Sequence, residues 1–347
     1  MGIFGKLFGS KSSSQPPATE PEPPRAAPRG TTPPPKAPGI ELVSPLEAVP
    51  GVPAALAAFE KGDRSLATQI YRGTKDSGLR LALVRELAEL TPDMPGPRTP
   101  LDVAVNEDDP FWQIVRGYYH VRVGWDARGG GTADTVSDEG WNTLAKRCTL
   151  AVEDLEDAAT ALLDDELPLV CMMHAARGLS DKTLGRRAYE EAIGRNPDSW
   201  AAGQQRIEWL SPRWFGSIDE VLAFARAESA RIGTGELAAL PILAHNDINI
   251  YHVAFEKDRE AAAAARQAAA AEVRDCVARS VDAPNAIATY ATPIIRHFAG
   301  SLLWQVADED GAKAQLSKVG NIFEPWCWLQ NVAAYTNVRS RLGLDRQ

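Results

Sequence analysis

From about Val52 to the C-terminus, apolar side chains recur in steps of three and four, the spacing of one face of an α-helix. The clearest stretch is Ser137–Leu163. There Trp141, Leu144, Cys148, Ala151, Leu155, Ala158 and Leu162 fall on one stripe, which predicts a long helix with that stripe buried and Ser137 as its N-cap. Pro168 opens a second helix that ends at Gly178, and Asp181 caps a third that stops before Asn196-Pro197. Glu260–Glu272 holds nine alanines and has high helix propensity. Only Phe111–Val123 is ambiguous, because Val115, Tyr119, Val121 and Val123 also fit a period of two. Pro110 and the Trp112-Val115-Tyr119 spacing decide for helix. The expectation is an all-α chain of short helical hairpins.

A helical-hairpin repeat of the tetratricopeptide kind closes on a proline over about 34 residues. With Pro197 as that proline, Ala192 and Tyr189 take the small and aromatic positions of the second helix, and Leu169, Met172-Met173 and Ala176 those of the first. Gly185 stands where the pattern wants alanine. Ile294–Trp326 repeats the theme: an apolar helix through Trp304, an acidic turn at Asp308-Glu309-Asp310, then Ala312, Leu316 and Val319. The predicted architecture is therefore a tetratricopeptide-like solenoid over residues 46–347.

Residues 1–45 break the pattern. Ten of the 25 prolines fall within the first 40 residues, and no large apolar side chain occurs between Ser10 and Pro38, so the segment reads as a disordered linker with polyproline-II character. Its first nine residues, MGIFGKLFG, set Ile3, Phe4, Leu7 and Phe8 on one helical face beside Lys6 and Lys11. Such a tip suits weak, reversible contact of residues 1–10 with an anionic membrane surface. Lys6 occupies the position where the myristoylation pattern wants Ser or Thr.

Composition narrows the function. The chain of 347 residues is 44% hydrophobic and 24% charged, as in an ordinary globular protein. Its net charge of −9 divides unevenly: five basic and two acidic side chains give the first 40 residues +3, which leaves −12 for the rest. An acidic body lacks the basic face of a nucleic-acid binder and favours a partner with a basic stretch. No apolar run approaches the roughly 20 residues that span a bilayer. Cys148, Cys171, Cys276 and Cys327 form no C-x-x-C pair, and their apolar helical settings suit buried thiols in a reducing, cytoplasmic compartment.

The candidate chemistry is sparse. In AHNDINIYHVAFEKD an unbroken helix would align His245, Asn249, His252 and Glu256, a donor set for a transition metal in a hydrolase, although the spacing departs from H-E-x-x-H. Ile250, Tyr251 and Phe255 would then face inward. His120, His174 and His297 are isolated and read as packing residues. Gly129-Gly130-Gly131-Thr132 lacks phosphate-loop spacing and reads as a projecting loop. No nucleophile signature is present, so no catalytic residue and no cofactor are predicted.

Two segments remain, both rich in tryptophan and arginine, the residues most enriched at binding hot spots. One presents Arg122, Trp125, Arg128, Asp134 and Trp141; the other presents Arg213 and Trp214. The competing reading is structural, with the tryptophans capping helices and Arg128 bonding exposed carbonyls. These segments, GWDARGGGTADTVSDEGW (Gly124–Trp141) and SPRWFGS (Ser211–Ser217), also carry a resemblance. They are similar to a bacterial family of tetratricopeptide-like proteins catalogued as domain of unknown function four-zero-three-four. The resemblance runs from about Pro110 to Ala230, more loosely to the C-terminus, and rests on its aromatic-Ala-Arg-Gly and Pro-Arg-Trp signatures. Asp126 stands between Trp125 and Ala127 in the first, and Phe215 replaces the expected glycine in the second. The resemblance implies an all-α solenoid and no known activity. The function expected is a non-catalytic scaffold that binds a protein or peptide in its groove, with a membrane-peripheral adaptor or a metal-dependent hydrolase as alternatives.

Overall fold

The computed structural model describes residues 41–94, 99–107, 109–328 and 330–344. The proline-rich tail and its amphipathic tip, apart from residues 41–45, lie outside the described residues. The described chain is built of helices: α1 (Val52–Phe59), α2 (Ser65–Gly73), α3 (Ser77–Leu90), α4 (Asp102–Glu107), α5 (Phe111–Arg128), α6 (Asp138–Ala161), α7 (Leu167–Gly178) and α8 (Lys182–Arg195). The second half continues with α9 (Trp200–Leu210), α10 (Ile218–Ile232), α11 (Leu240–Ile250), α12 (Arg259–Arg279), α13 (Ala291–Gln305), α14 (Glu309–Leu316) and α15 (Val332–Arg341). None is long and apolar enough to cross a membrane.

Side-chain caps set many of the helix starts. The Ser137 hydroxyl accepts from the Gly140 N–H at 3.1 Å, and Asp181 accepts from the Thr183 and Leu184 N–H groups. Asp258 and Asp308 cap α12 and α14 in the same way. Phe111–Val123 is helical, as its proline start predicts. Gly185 departs from the repeat pattern for a steric reason: a Cβ there would enter the indole ring of Trp209. Gly216 answers the Phe215 departure, since the Phe215 ring packs on Trp209 at 4.6 Å and the glycine falls one residue later, where a Cβ would strike the Leu210 carbonyl.

Each helix from α5 to α14 packs on the next, and the odd-numbered helices α5, α7, α9, α11 and α13 also touch one another in sequence. Two large apolar cores result. The first spans Ala67 to Trp209, the second joins Leu42 to residues between Trp200 and Leu344, and α9 gives side chains to both. Leu42 is buried and Val43 bridges Ile322, so residues 41–44 belong to the folded body although the sequence pattern assigned them to the tail.

Helix α3 lies across this row, touching α5, α7 and α9. Its N-terminus is tied twice: Ser77 Oγ accepts from the Ala201 N–H at 3.1 Å, and Asp76 Oδ2 accepts from the Tyr290 N–H at 2.7 Å. Arg80 pairs with Asp165, which also accepts from the Tyr71 hydroxyl at 2.7 Å. The chain thus places one of its own helices against the first three odd-numbered helices of that row.

Candidate functional site

The two tryptophan–arginine segments meet, although 73 positions separate Trp141 from Trp214 in the sequence. Trp125, in the last turn of α5, and Trp214, in the turn after α9, make an edge-to-face pair with centroids 5.3 Å apart. Arg177, at the end of α7, lies over both rings, at 5.3 Å from Trp125 and 5.0 Å from Trp214. On the other side of Trp125, Arg128 stands 5.7 Å from that ring and 5.3 Å from Trp141. The outcome is an alternating ladder, Trp141–Arg128–Trp125–Arg177–Trp214. Each rung is a cation–π contact worth about 0.5–2 kcal/mol according to its desolvation.

The ladder branches inward from Arg177. Its Nη1 donates to Glu208 Oε2 at 2.7 Å, and its Nη2 lies 3.3 Å from His174 Nδ1. The other imidazole nitrogen of His174 is 3.0 Å from Nη2 of Arg85 on α3, whose guanidinium covers the Tyr118 ring. Burial by itself would raise the Glu208 carboxyl, but Arg177, His174 and Arg85 outweigh it and hold the acid down at about 2. Glu208 keeps 30% of its side-chain surface open to solvent despite this enclosure. Burial depresses the Arg128 guanidinium, and no carboxylate opposes the shift.

The remaining sequence candidates divide. Arg122 is a structural tie: it pairs with Asp93, reaches Asp126 at 3.1 Å and donates to the Thr91 carbonyl at 3.3 Å, fixing α5 to the end of α3. Arg213 pairs with the buried Asp247 and lies over Phe255 at 5.7 Å. Asp134 is exposed in the loop and takes no part in the ladder. Arg128 Nη1 donates to the carbonyls of Gly129 and Gly131, so it clamps the glycine loop as well as stacking. Trp141 is a correction: the stripe reading buries it, yet it is 37% exposed at the outer end of the ladder. Arg85, His174, Arg177 and Glu208 were not singled out for binding from the sequence, although polar side chains on α7, an otherwise apolar and buried helix, were a usable signal.

The metal candidates do not assemble. Among the described residues no group of three or more His, Cys, Asp or Glu side chains could hold a metal. His245 Nε2 is 2.8 Å from Glu272 Oε2, and Glu272 is held by Arg226 through two bonds of 2.8 Å. The expected alignment with His252 and Glu256 fails because the chain changes to a π-helix over Tyr251–Glu256. That change also turns Phe255 outward, 46% exposed, where inward packing was expected. His120 and His297 are buried packing residues, and desolvation pushes both down to about 4. Trp328 Nε1 donates to Nδ1 of His297 at 3.2 Å, which leaves its Nε2–H to donate to the Ile322 carbonyl. All four cysteines are buried free thiols, and burial pushes Cys148, Cys171 and Cys276 up to about 12.

No family model matches the chain, and neither a curated protein nor a solved structure shows significant similarity to it.

Proposed function

We propose that this chain is a non-catalytic helical-repeat scaffold that binds a protein or peptide partner through the tryptophan–arginine ladder. The observation that carries the reading is the convergence itself: two segments far apart in the sequence bring Trp125, Trp141 and Trp214 together around Arg128 and Arg177, with Trp141 open at the outer end. Flat, half-exposed indoles backed by rigid neighbours are the usual anchors of an interface, because they offer large area at small entropic cost. The sequential contacts of the odd-numbered helices support the repeat reading, since stacked hairpins bury a continuous core in that way. Because α3 already occupies α5, α7 and α9, the ladder is the better candidate surface than a groove along those helices.

The test is in-cell photocrosslinking in the native host, with Trp141 replaced by benzoylphenylalanine in the full chain. A discrete adduct with a second protein, lost when Trp214→Ala is added while the helical circular dichroism is kept, is the expected result. An adduct pattern that Trp214→Ala leaves unchanged overturns the proposal.

A further inference from the structure

The ladder carries an uneven charge. Arg85, Arg128 and Arg177 bring three guanidiniums, and the carboxylate that pairs with one of them is Glu208, bonded to Arg177. Among the described residues Arg128 makes no ion pair; its hydrogen bonds go to the Gly129 and Gly131 carbonyls. Arg85 makes none either and faces His174 and Tyr118. Its acidic neighbours are Glu208, which favours its charge, and Glu324, whose ionisation burial opposes. The count of charges calls for acceptors that carry negative charge. The body around them sums to −12, so this is a cationic island on an acidic protein.

We propose that the ladder takes an acidic peptide segment of the partner protein, with its carboxylates against Arg128 at one end and Arg85 at the other. The inference rests on the partner-binding reading above and deepens it. It also reverses the preference for a basic partner that net charge alone suggests. A segment suits the site better than a single compact anion because the unpaired guanidiniums lie at opposite ends of the cluster, separated by Trp125, Arg177 and His174. One phosphate would engage one end. A peptide spreads its charges along the row and lays its aliphatic carbons on the indole faces.

Fluorescence anisotropy on the full chain tests this, with a labelled peptide of glutamate and leucine residues and the same peptide carrying lysine in place of glutamate. The glutamate peptide is expected to bind and the lysine peptide is not. Arg128→Gln is expected to weaken binding about tenfold, the worth of one charge-assisted contact, with partial recovery in Arg128→Lys. Added salt weakens the binding further. Binding that Arg128→Gln leaves unchanged, in a variant that melts like the parent, overturns the inference, as does failure of both peptides to bind. Inorganic phosphate that competes where chloride of equal ionic strength does not reassigns the site to phosphate and overturns the peptide. A preference for the lysine peptide that Trp214→Ala abolishes would sink the acidic segment and leave the partner-binding reading standing.

Discussion

The molecule treats its buried and half-buried arginines in two different ways. In the C-terminal core, Arg296 donates to Asp282 at 2.8 Å, to Gln315 at 2.6 Å and to the Val281 carbonyl at 2.7 Å, and Asp282 is held in turn by Lys318. Arg339, 2% exposed, donates to the carbonyls of Gly320 and Leu344 and to the Tyr335 hydroxyl. These guanidiniums have acceptors from their own chain in several directions, as a cation built into a core requires. Arg128 and Arg85 are stacked on rings, as Arg339 is on Tyr335, and make no ion pair among the described residues, but unlike Arg339 they are only half-buried. Stacking holds a guanidinium in place but leaves its charge to act outward. The comparison therefore separates cations that build the fold from cations that the fold presents.

The largest expected effect breaks the first side of that comparison. Arg296→Met removes the donor shared by Asp282, Gln315 and Val281 and leaves their acceptors buried, which costs about 3–5 kcal/mol. Thermal melting reads it, and a loss under about 1 kcal/mol would show that Lys318 and Gln315 hold Asp282 well enough alone. Gly185→Ala comes next. Its methyl group would enter the Trp209 ring, at a cost of about 1–3 kcal/mol for overpacking. Adding Trp209→Leu should recover part of that loss, because the smaller side chain vacates the space; an unchanged melting temperature in Gly185→Ala would contradict the packing described between α8 and α9.

These two positions show what the sequence could and could not disclose. Gly185 was visible as a departure from a repeat pattern, but its cause is an indole 24 positions away. Local grammar fared well: Ser137, Asp181 and Pro168 mark helix starts because caps and first-turn prolines act within four residues. Periodicity fared well wherever a stripe met a neighbouring helix, as at Leu144, Cys148 and Leu155. It failed at Trp141, which lies beside the last turn of α5 and stays exposed, and at Phe255, where the π-helix shifts the register. The meeting of Trp125 with Trp214, and the placement of α3 over α5, α7 and α9, are long-range facts that no window of one sequence contains. Trp125, Arg128 and Trp214 were readable as binding-type residues; their assembly around Arg177 was not.

A smaller effect, set by pH, sharpens the account of Arg85. Burial raises the Glu324 carboxyl from 4.5 to about 7, while the Trp326 N–H and Arg85 pull in the opposite direction. A folded pKa above the unfolded one means that the folded state binds the extra proton. The stability is present below about 4.5 and is lost as the pH rises through about 7. His297, pushed down to about 4, acts in the other sense and loses stability as the pH falls from 6.5 toward 4. Glu324→Gln keeps an oxygen for the Trp326 N–H and removes the ionisation. It should raise the melting temperature by about 3 °C or more at pH 8 and change it little at pH 5. An equal shift at both pH values would mean that Glu324 is not the titrating group.

The smallest expected stability effect is the one that bears most on the comparison. Arg128→Gln removes two bonds to carbonyls of an exposed glycine loop and two ring contacts that are open to solvent on one side. No buried carboxylate is left behind, so the loss should stay within about 1 kcal/mol in thermal melting. Arg296 and Arg128 would then differ several-fold in what the fold draws from them, although both belong to the same helical body. A cost for Arg128→Gln as large as that for Arg296→Met would erase the distinction: the ladder would be a clamp that holds α5, α6 and α7 together, and its unpaired charge would be incidental to packing. A small cost makes the opposite point, because a guanidinium kept between two indoles while adding little to stability is held there by something other than the fold.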